Sequence, residues 1–307
     1  MTLKVVLGWH FRIFQFNNRN EECMLEGCKI SFIGSGAMAE AMISGLIRNQ
    51  LAEPDSIFAS DPRTERLAEL TDRYNIQVSA NNLQVVIDAD VIVLSIKPQV
   101  LQRVMDDIKA NIKSETLVLS IIAGAPIMKI SEGLMHGVVV RSMPNTPAQI
   151  GQGITVWTAA KEVTERQLQM ARQILSALGE EIFLEDEYYL DMATALSGTG
   201  PAYVFLFMEA MVDAGVHMGF ERHIAERLVA QTVRGSVDYF TLRDDHVHLA
   251  RLRNQVTSPG GTSAAALYYL EKAGFRTAIS RAIWAAFERS RELGESAKTH
   301  APKENGT

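Results

Sequence analysis

Thr257, Ser258, Pro259, Gly260, Gly261, Thr262 and Ser263 stand in a row ahead of an alanine- and leucine-rich run at 264–271. The two glycines free the backbone and let a ligand approach the main chain closely. The pattern reads as a tight loop that opens a helix, with Ser258 and Thr262 as candidate N-caps and Pro259 fixing a local φ. Free N–H groups at a helix start suit a small anion such as a carboxylate. The hydroxyls of Thr257, Thr262 and Ser263 lie beside those groups and can donate to a polar ligand atom. The same residues also read, without chemistry, as a capped helix after a turn.

A second candidate lies far upstream. Gly34, Ser35, Gly36, Ala37, Met38 and Ala39 follow a β-rich run at 29–33 and precede a helical pattern that ends near residue 49. Strand, glycine turn and helix are the context that a G-x-G-x-x-A dinucleotide fingerprint requires. Gly34 permits the tight turn, Gly36 lets a pyrophosphate approach the backbone, and small Ala39 lets helix pack on strand. A plain glycine turn is the alternative. Asp61 follows the second strand at the spacing of a ribose contact. Asp61 on a ribose 2′-hydroxyl favours NADH. Ser60 with Arg63 or Arg66 around a 2′-phosphate favours NADPH, because a guanidinium matches that group. Both arginines also read as the solvated face of the helix they begin.

Such residues need elements to hold them. Short strands are expected at 56–60, 76–78, 91–96, 117–122 and 138–141, with a short helix from Asn82; 91–96 is the continuous apolar run of a central parallel strand. Their ends finish in Lys97-Pro98, in Ala123-Gly124-Ala125-Pro126 and in Met143-Pro144-Asn145-Thr146-Pro147. In an open parallel sheet those carboxyl ends form the ligand crevice. Lys97 there reads as a cofactor contact or a surface cation. Asn145 reads as the residue nearest a nicotinamide amide, or as a turn former. Segments 154–159 and 181–184 bracket a helix at 164–178 and close this domain.

From Asp186 onward only helical patterns occur. The run 202–218 is apolar nearly all round, with Glu209 and Asp213 as its internal charges. Such a helix must be buried on most faces, and burial against a second subunit is the expectation. The fold class is an α/β Rossmann-like dinucleotide-binding domain at 26–185, followed by an all-α substrate and dimerisation domain at 186–297. Residues 1–25 are expected to be a disordered extension and 298–307 a disordered tail.

The 307 residues carry a net charge of −6, without a Lys/Arg stripe, which argues against nucleic acid. No run of 18 apolar residues occurs, so no membrane span is expected, and Cys23 and Cys28 form no framework of the secreted type. A cytoplasmic protein is the simplest expectation. His246 and His248 face different sides of a helix, and no Cys/His cluster has metal-ligand spacing.

Taken together, the chain resembles the pyrroline-5-carboxylate reductases from about residue 29 to 293. Ser-Gly-Thr-Gly-Pro-Ala-Tyr at 197–203 and Val-Thr-Ser-Pro-Gly-Gly-Thr-Ser at 256–263 carry the likeness, with Ser-Ile-Lys-Pro at 95–98 and Met-Pro-Asn-Thr-Pro at 143–147. The resemblance implies reduction of L-1-pyrroline-5-carboxylate to L-proline by NADPH or NADH. It implies a homodimer of interlocked helical domains, an active site using both subunits, and larger assemblies in some members. It places cofactor contacts at Gly34, Ser35, Gly36, Ala37, Met38, Ser60, Asn82, Ser95, Ile96, Lys97, Pro98, Ile121, Ile122 and Ala123. The substrate loop becomes Ser258, Gly260, Gly261, Thr262 and Ser263, with Thr262 and Ser263 at the reacting end. The family usually has Thr beside the imine nitrogen, where this chain has Ser263. Serine makes the same hydrogen bond without the methyl that restricts χ1, so activity is expected to be kept, at most slowed. The family's Glu-His-Pro is replaced by Asp245-His246-Val247-His248. A β-hydroxyacid dehydrogenase would need a catalytic lysine on a second-domain helix, and Lys272, late in its helix, is the only lysine in 187–293. A non-catalytic relative is the other alternative, favoured only by Ser263.

Overall fold

The computed structural model describes residues 23–243 and 247–295. The expected tail at 298–307 and most of the 1–25 extension lie outside them, as does His246. Cys23, Met24 and Leu25 are described: Leu25 is fully buried in the core, and the Met24 N–H donates to Gln173 Oε1 at 2.9 Å. The first domain therefore begins before residue 26, because Leu25 has apolar surface to bury.

Strands β1 (Ile30–Ile33), β2 (Ile57–Ser60), β3 (Gln77–Ser79), β4 (Val91–Leu94), β5 (Leu117–Ser120), β6 (Val139–Met143), β7 (Gly153–Ala159) and β8 (Gly179–Phe183) form one sheet. Helices α1 (Ala37–Arg48), α2 (Thr64–Tyr74), α3 (Asn82–Val86), α4 (Leu101–Ile108), α5 (Ile127–Leu134) and α6 (Glu165–Ser176) connect them. The strand order is β3-β2-β1-β4-β5-β6-β7-β8. Because β1 has β2 on one side and β4 on the other, the chain reverses its winding there, which opens a crevice beyond the carboxyl ends. Two cores fill the two faces. Phe32, Val91 and Trp157 belong to one, and Ile33, Ile92 and Leu94 to the other, so neighbouring strand residues alternate between them.

The sheet is not wholly parallel, since β7 pairs antiparallel with β6. A short Pro-containing 3-10 turn, Thr146–Ile150, joins them, too little chain for a parallel crossover.

The helical half comprises α7 (Tyr188–Ala193), α8 (Gly200–His217), α9 (Arg222–Thr241), α10 (Leu249–Gln255), α11 (Thr262–Lys272) and α12 (Phe275–Glu295). The compact units do not divide at 185/186. One contains residues up to Gly198 and again from Phe287, and the other is Thr199–Ala286. The reason is visible at α7. Leu190 and Ala193 bury their side chains with Val156 of β7. The nearly inaccessible Arg141 of β6 pairs with Glu187 at 2.9 Å and Asp191 at 3.0 Å. Ser290 of α12 also donates to Asp191, at 2.9 Å.

The second unit has little core of its own: Val212, Ala225 and Val229 are its clustered buried residues. Phe205, Leu206, Tyr268, Tyr269 and Trp284 are exposed, Leu206 at 67%. The all-apolar helix expected at 202–218 is thus present but largely uncovered within one chain. Tyr188–His217 is, against the expectation of no span, a helical stretch long and apolar enough to cross a membrane by length and composition. Asp191 within it is ion-paired to buried Arg141, which fixes its start to the sheet.

Candidate functional site

One candidate region, within the first unit, is the carboxyl edge of β1, β2, β4 and β5. Gly34 has φ +89°, and a Cβ there would lie 2.7 Å from both Ser95 O and Ile96 Cγ2. Only glycine lets the chain leave β1 this close to the end of β4. Gly36 precedes α1 with no side-chain cap, and a Cβ there would meet nothing within 4 Å. Among the described residues, nothing accepts from the Gly36 N–H. Ala39 is fully buried where α1 packs on the sheet. An uncapped helix N-terminus behind an open glycine turn suits a phosphate, so the fingerprint fits a dinucleotide.

Ser35 is fully buried, and its hydroxyl donates to Ser60 O at 3.1 Å. Ser60 is buried too and donates to Asn82 Oδ1 at 2.8 Å, so Ser60 and Asn82 hold each other beside the turn. Ser95 Oγ ties the turn to β4, donating to Gly34 O at 2.6 Å. Lys97 is exposed and Pro98 opens a 3-10 turn directly after it. Ile121 and Ala123 are half-buried, whereas Ile122 sends its side chain into the second core and offers only backbone to this edge.

Asp61 is the most heavily engaged group here. Oδ1 accepts from Arg63 N at 3.0 Å and Arg63 Nε at 2.9 Å; Oδ2 accepts from Arg63 Nη2 at 3.0 Å and Ser35 N at 3.1 Å. Burial pushes its carboxyl up, but the Arg63 and Ser35 hydrogen bonds outweigh this and hold it below its ordinary value. Four donors fill the four lone-pair positions of a carboxylate. Arg63 itself is 62% exposed. Arg66 matches neither of its two expectations. It is neither solvated nor free for a phosphate, because its guanidinium donates to Ser35 O at 2.7 Å, to Glu69 at 2.9 Å and to Glu40. Asn145 uses its side-chain oxygen on the Ile154 N–H at 3.0 Å, the turn-forming role, bracing the β6–β7 connection.

A separate candidate region, within the second unit, is the start of α11. Its N-cap is Gly261, without a side-chain cap, so neither Ser258 nor Thr262 caps the helix. Ser258 instead closes a turn through its carbonyl, which accepts the Gly261 N–H at 3.0 Å, and a Cβ on Gly261 would lie 2.5 Å from Ser258 Oγ. Thr257 Oγ1 is spent on Arg253 O at 2.7 Å, which removes it from the expected donors. The hydroxyls of Ser258, Thr262 and Ser263 have no partner among the described residues, and Ser263 is half-buried.

Strand order and glycine turn define a dinucleotide-binding protein of the open α/β class, followed by a helical unit. Over residues 187–293 the chain matches the family model of pyrroline-5-carboxylate reductase dimerisation, and over 29–124 one described as NADP oxidoreductase, coenzyme F420-dependent. The chain belongs to the pyrroline-5-carboxylate reductase family. It is 40% identical to the reductase of Synechocystis over 267 residues, 87% of this chain and 98% of that one. It is 42% identical to that of Pseudomonas aeruginosa over 268 residues, 87% and 97% of the two chains. Among solved structures it is similar to Plasmodium falciparum pyrroline carboxylate reductase with NADP bound, at TM-score 0.80 and 32% identity, covering 88% of this chain and 99% of that one.

Sequence reasoning missed the cluster around Glu40. Arg66 donates to one of its carboxylate oxygens, while Arg73 at 2.8 Å and Tyr74 at 3.0 Å donate to the other. The available signal was an acidic residue in the first turn of α1 facing a helix with Arg at both ends.

Proposed function

We propose that this protein reduces L-1-pyrroline-5-carboxylate to L-proline in the cytoplasm, with NADPH as the preferred reductant, as a homodimer joined through the helical unit. The observation that carries the reading is the start of α11: uncapped N–H groups beside three hydroxyls without a partner among the described residues, in a chain of this family. The N–H groups of Thr262 and Ser263 hold the substrate carboxylate, and fixing the ring in this way is catalysis by positioning. The bound nicotinamide supplies the hydride that goes to the imine carbon. The Ser263 hydroxyl hydrogen-bonds the imine nitrogen, which carries one added proton in the product.

The preference for NADPH follows from Asp61. With its acceptor positions filled by Arg63 and Ser35, it has none left for a ribose 2′-hydroxyl, whereas exposed Arg63 has a further N–H fork edge for a 2′-phosphate. Arg63→Ala is expected to raise KM for NADPH by about 10- to 100-fold, the loss of hydrogen bonds to a charged group. KM for NADH is expected to stay level or fall, because Asp61 regains acceptor capacity. An equal effect on both cofactors in steady-state kinetics would remove Arg63 from the 2′-phosphate.

The reading as a whole is tested by following NADPH oxidation with and without the imine. Oxidation that depends on the imine supports it; a folded protein that binds NADPH but does not turn over points to a non-catalytic relative. Ser263→Ala is expected to lower kcat about tenfold, one hydrogen bond lost in the transition state, with the Kd for NADPH unchanged. Parental kcat in that variant would free Ser263 of any role at the nitrogen.

A further inference from the structure

The Gly36 N–H is the donor a glycine fingerprint offers to a pyrophosphate, and its direction is set by the peptide to which it belongs. In a trans peptide the carbonyl and the N–H point opposite ways. The carbonyl of that peptide is Ser35 O, and it accepts from Arg66 Nε at 2.7 Å. We infer that Arg66 is a positioning residue for the dinucleotide, which aims the Gly36 N–H and cancels the charge of Glu40 beside the phosphate turn. The inference rests on the nucleotide reading above.

Two further observations support the first part. The peptide on the other side of Ser35 is also fixed, its N–H donating to Asp61 Oδ2 at 3.1 Å and its carbonyl, Gly34 O, accepting from Ser95 Oγ at 2.6 Å. Arg66 is moreover immobilised, with side-chain exposure of 14% and each guanidinium nitrogen engaged. A planar fork held on both sides transmits a direction that a flexible ammonium does not.

The second part follows from where Glu40 stands. It lies in the first turn of α1, the helix whose N-terminus faces the turn. A carboxylate there favours the helix dipole but repels an incoming phosphate. Its exposure is only 18%, so water screens it poorly. Burial pushes the Glu40 carboxyl up, but the hydrogen bonds from Arg66, Arg73 and Tyr74 outweigh this and keep it below its ordinary value, hence ionised at neutral pH. Arg66 and Arg73 balance Glu40 and Glu69, leaving the cluster neutral.

Arg66 and Arg63 therefore act on different parts of the cofactor, and the test separates them. Dissociation constants for NADPH and NADH are measured on the full chain by fluorescence titration, with thermal melts alongside, for the parent, Arg66→Met, Arg66→Lys and the double variant Glu40→Gln/Arg66→Met. Arg66→Met is expected to raise both constants by about tenfold, with their ratio unchanged. Arg66→Lys restores a charge but not the fork and recovers only part. The double variant binds more tightly than Arg66→Met alone, since the exposed charge of Glu40 has gone; a merely structural role predicts further loss instead. Parental constants in folded Arg66→Met would overturn the inference, and so would a loss confined to NADPH. If Arg66→Met does not fold, Arg66→Lys decides, an equal loss for both cofactors supporting the inference and parental binding overturning it. A parent that binds neither cofactor would overturn the nucleotide reading itself, and the inference with it.

Discussion

Leu206→Asp is expected to yield a monomer without reductase activity. Leu206 is 67% exposed on α8, and its neighbours Phe205 and Phe207 are exposed with it. Within one chain the substitution removes little buried contact, so the sheet unit keeps its fold. Across a two-fold interface the charge occurs twice, and burying an unpaired carboxylate costs about 3–5 kcal/mol. Each carboxylate alone raises the dimer dissociation constant by about two to four powers of ten, and the two compound. Sedimentation velocity on parent and variant reads this directly. A variant that remains dimeric at the parental concentration would move the interface away from α8.

Gly34→Ala is expected to abolish cofactor binding and to destabilise the fold by about 2–4 kcal/mol. The added methyl meets a backbone oxygen, Ser95 O, at 2.7 Å, and φ is +89°. Relief requires the turn to move away from β4, which breaks the Ser95 Oγ bond to Gly34 O. Gly36→Ala supplies the contrast. Nothing lies within 4 Å of its Cβ and its φ is −69°, so its melting temperature should match the parent while NADPH affinity falls. Equal melts for parent and Gly34→Ala would show that the turn yields without cost.

The two glycine-bearing loops were legible because each combines a local conformational demand with an element boundary. Gly34 and Gly36 sit between a strand and a helix, and Gly260 and Gly261 open one, in structure as in sequence. The roles of side chains around them were less legible. Arg63 stands just before α2 and Arg66 lies in its first turn, yet one is exposed and the other clamps Ser35 O. That difference is decided by Glu40, 26 residues earlier, and no local pattern contains it. Thr257 was likewise read as a ligand donor, while the structure spends its hydroxyl on Arg253 O; for Asn145 a nicotinamide contact and a turn former were both open, and its side-chain oxygen accepts from the Ile154 N–H. The reversal of β7 was hidden because a buried apolar strand looks alike in either direction. The boundary at 185/186 followed the end of strand patterning, but α7 belongs with the sheet through Leu190 and the Arg141 ion pairs.

The first unit is built from an early and a late stretch of the described residues, and this bears on the order in which the protein can be made. A ribosome delivers Gly198 well before Phe287. Until then Asp191 lacks Ser290, which lies 99 residues later, and the loop at Gly124 lacks Leu293, which lies against it. Contacts so distant in sequence form late, because the intervening loop must be closed first. The nascent chain therefore passes through a stage in which its sheet is made but its unit is unfinished. The helices carrying the uncovered apolar surface emerge before that stage ends. Exposure of that surface on an incomplete protomer is the condition under which aggregation competes with assembly.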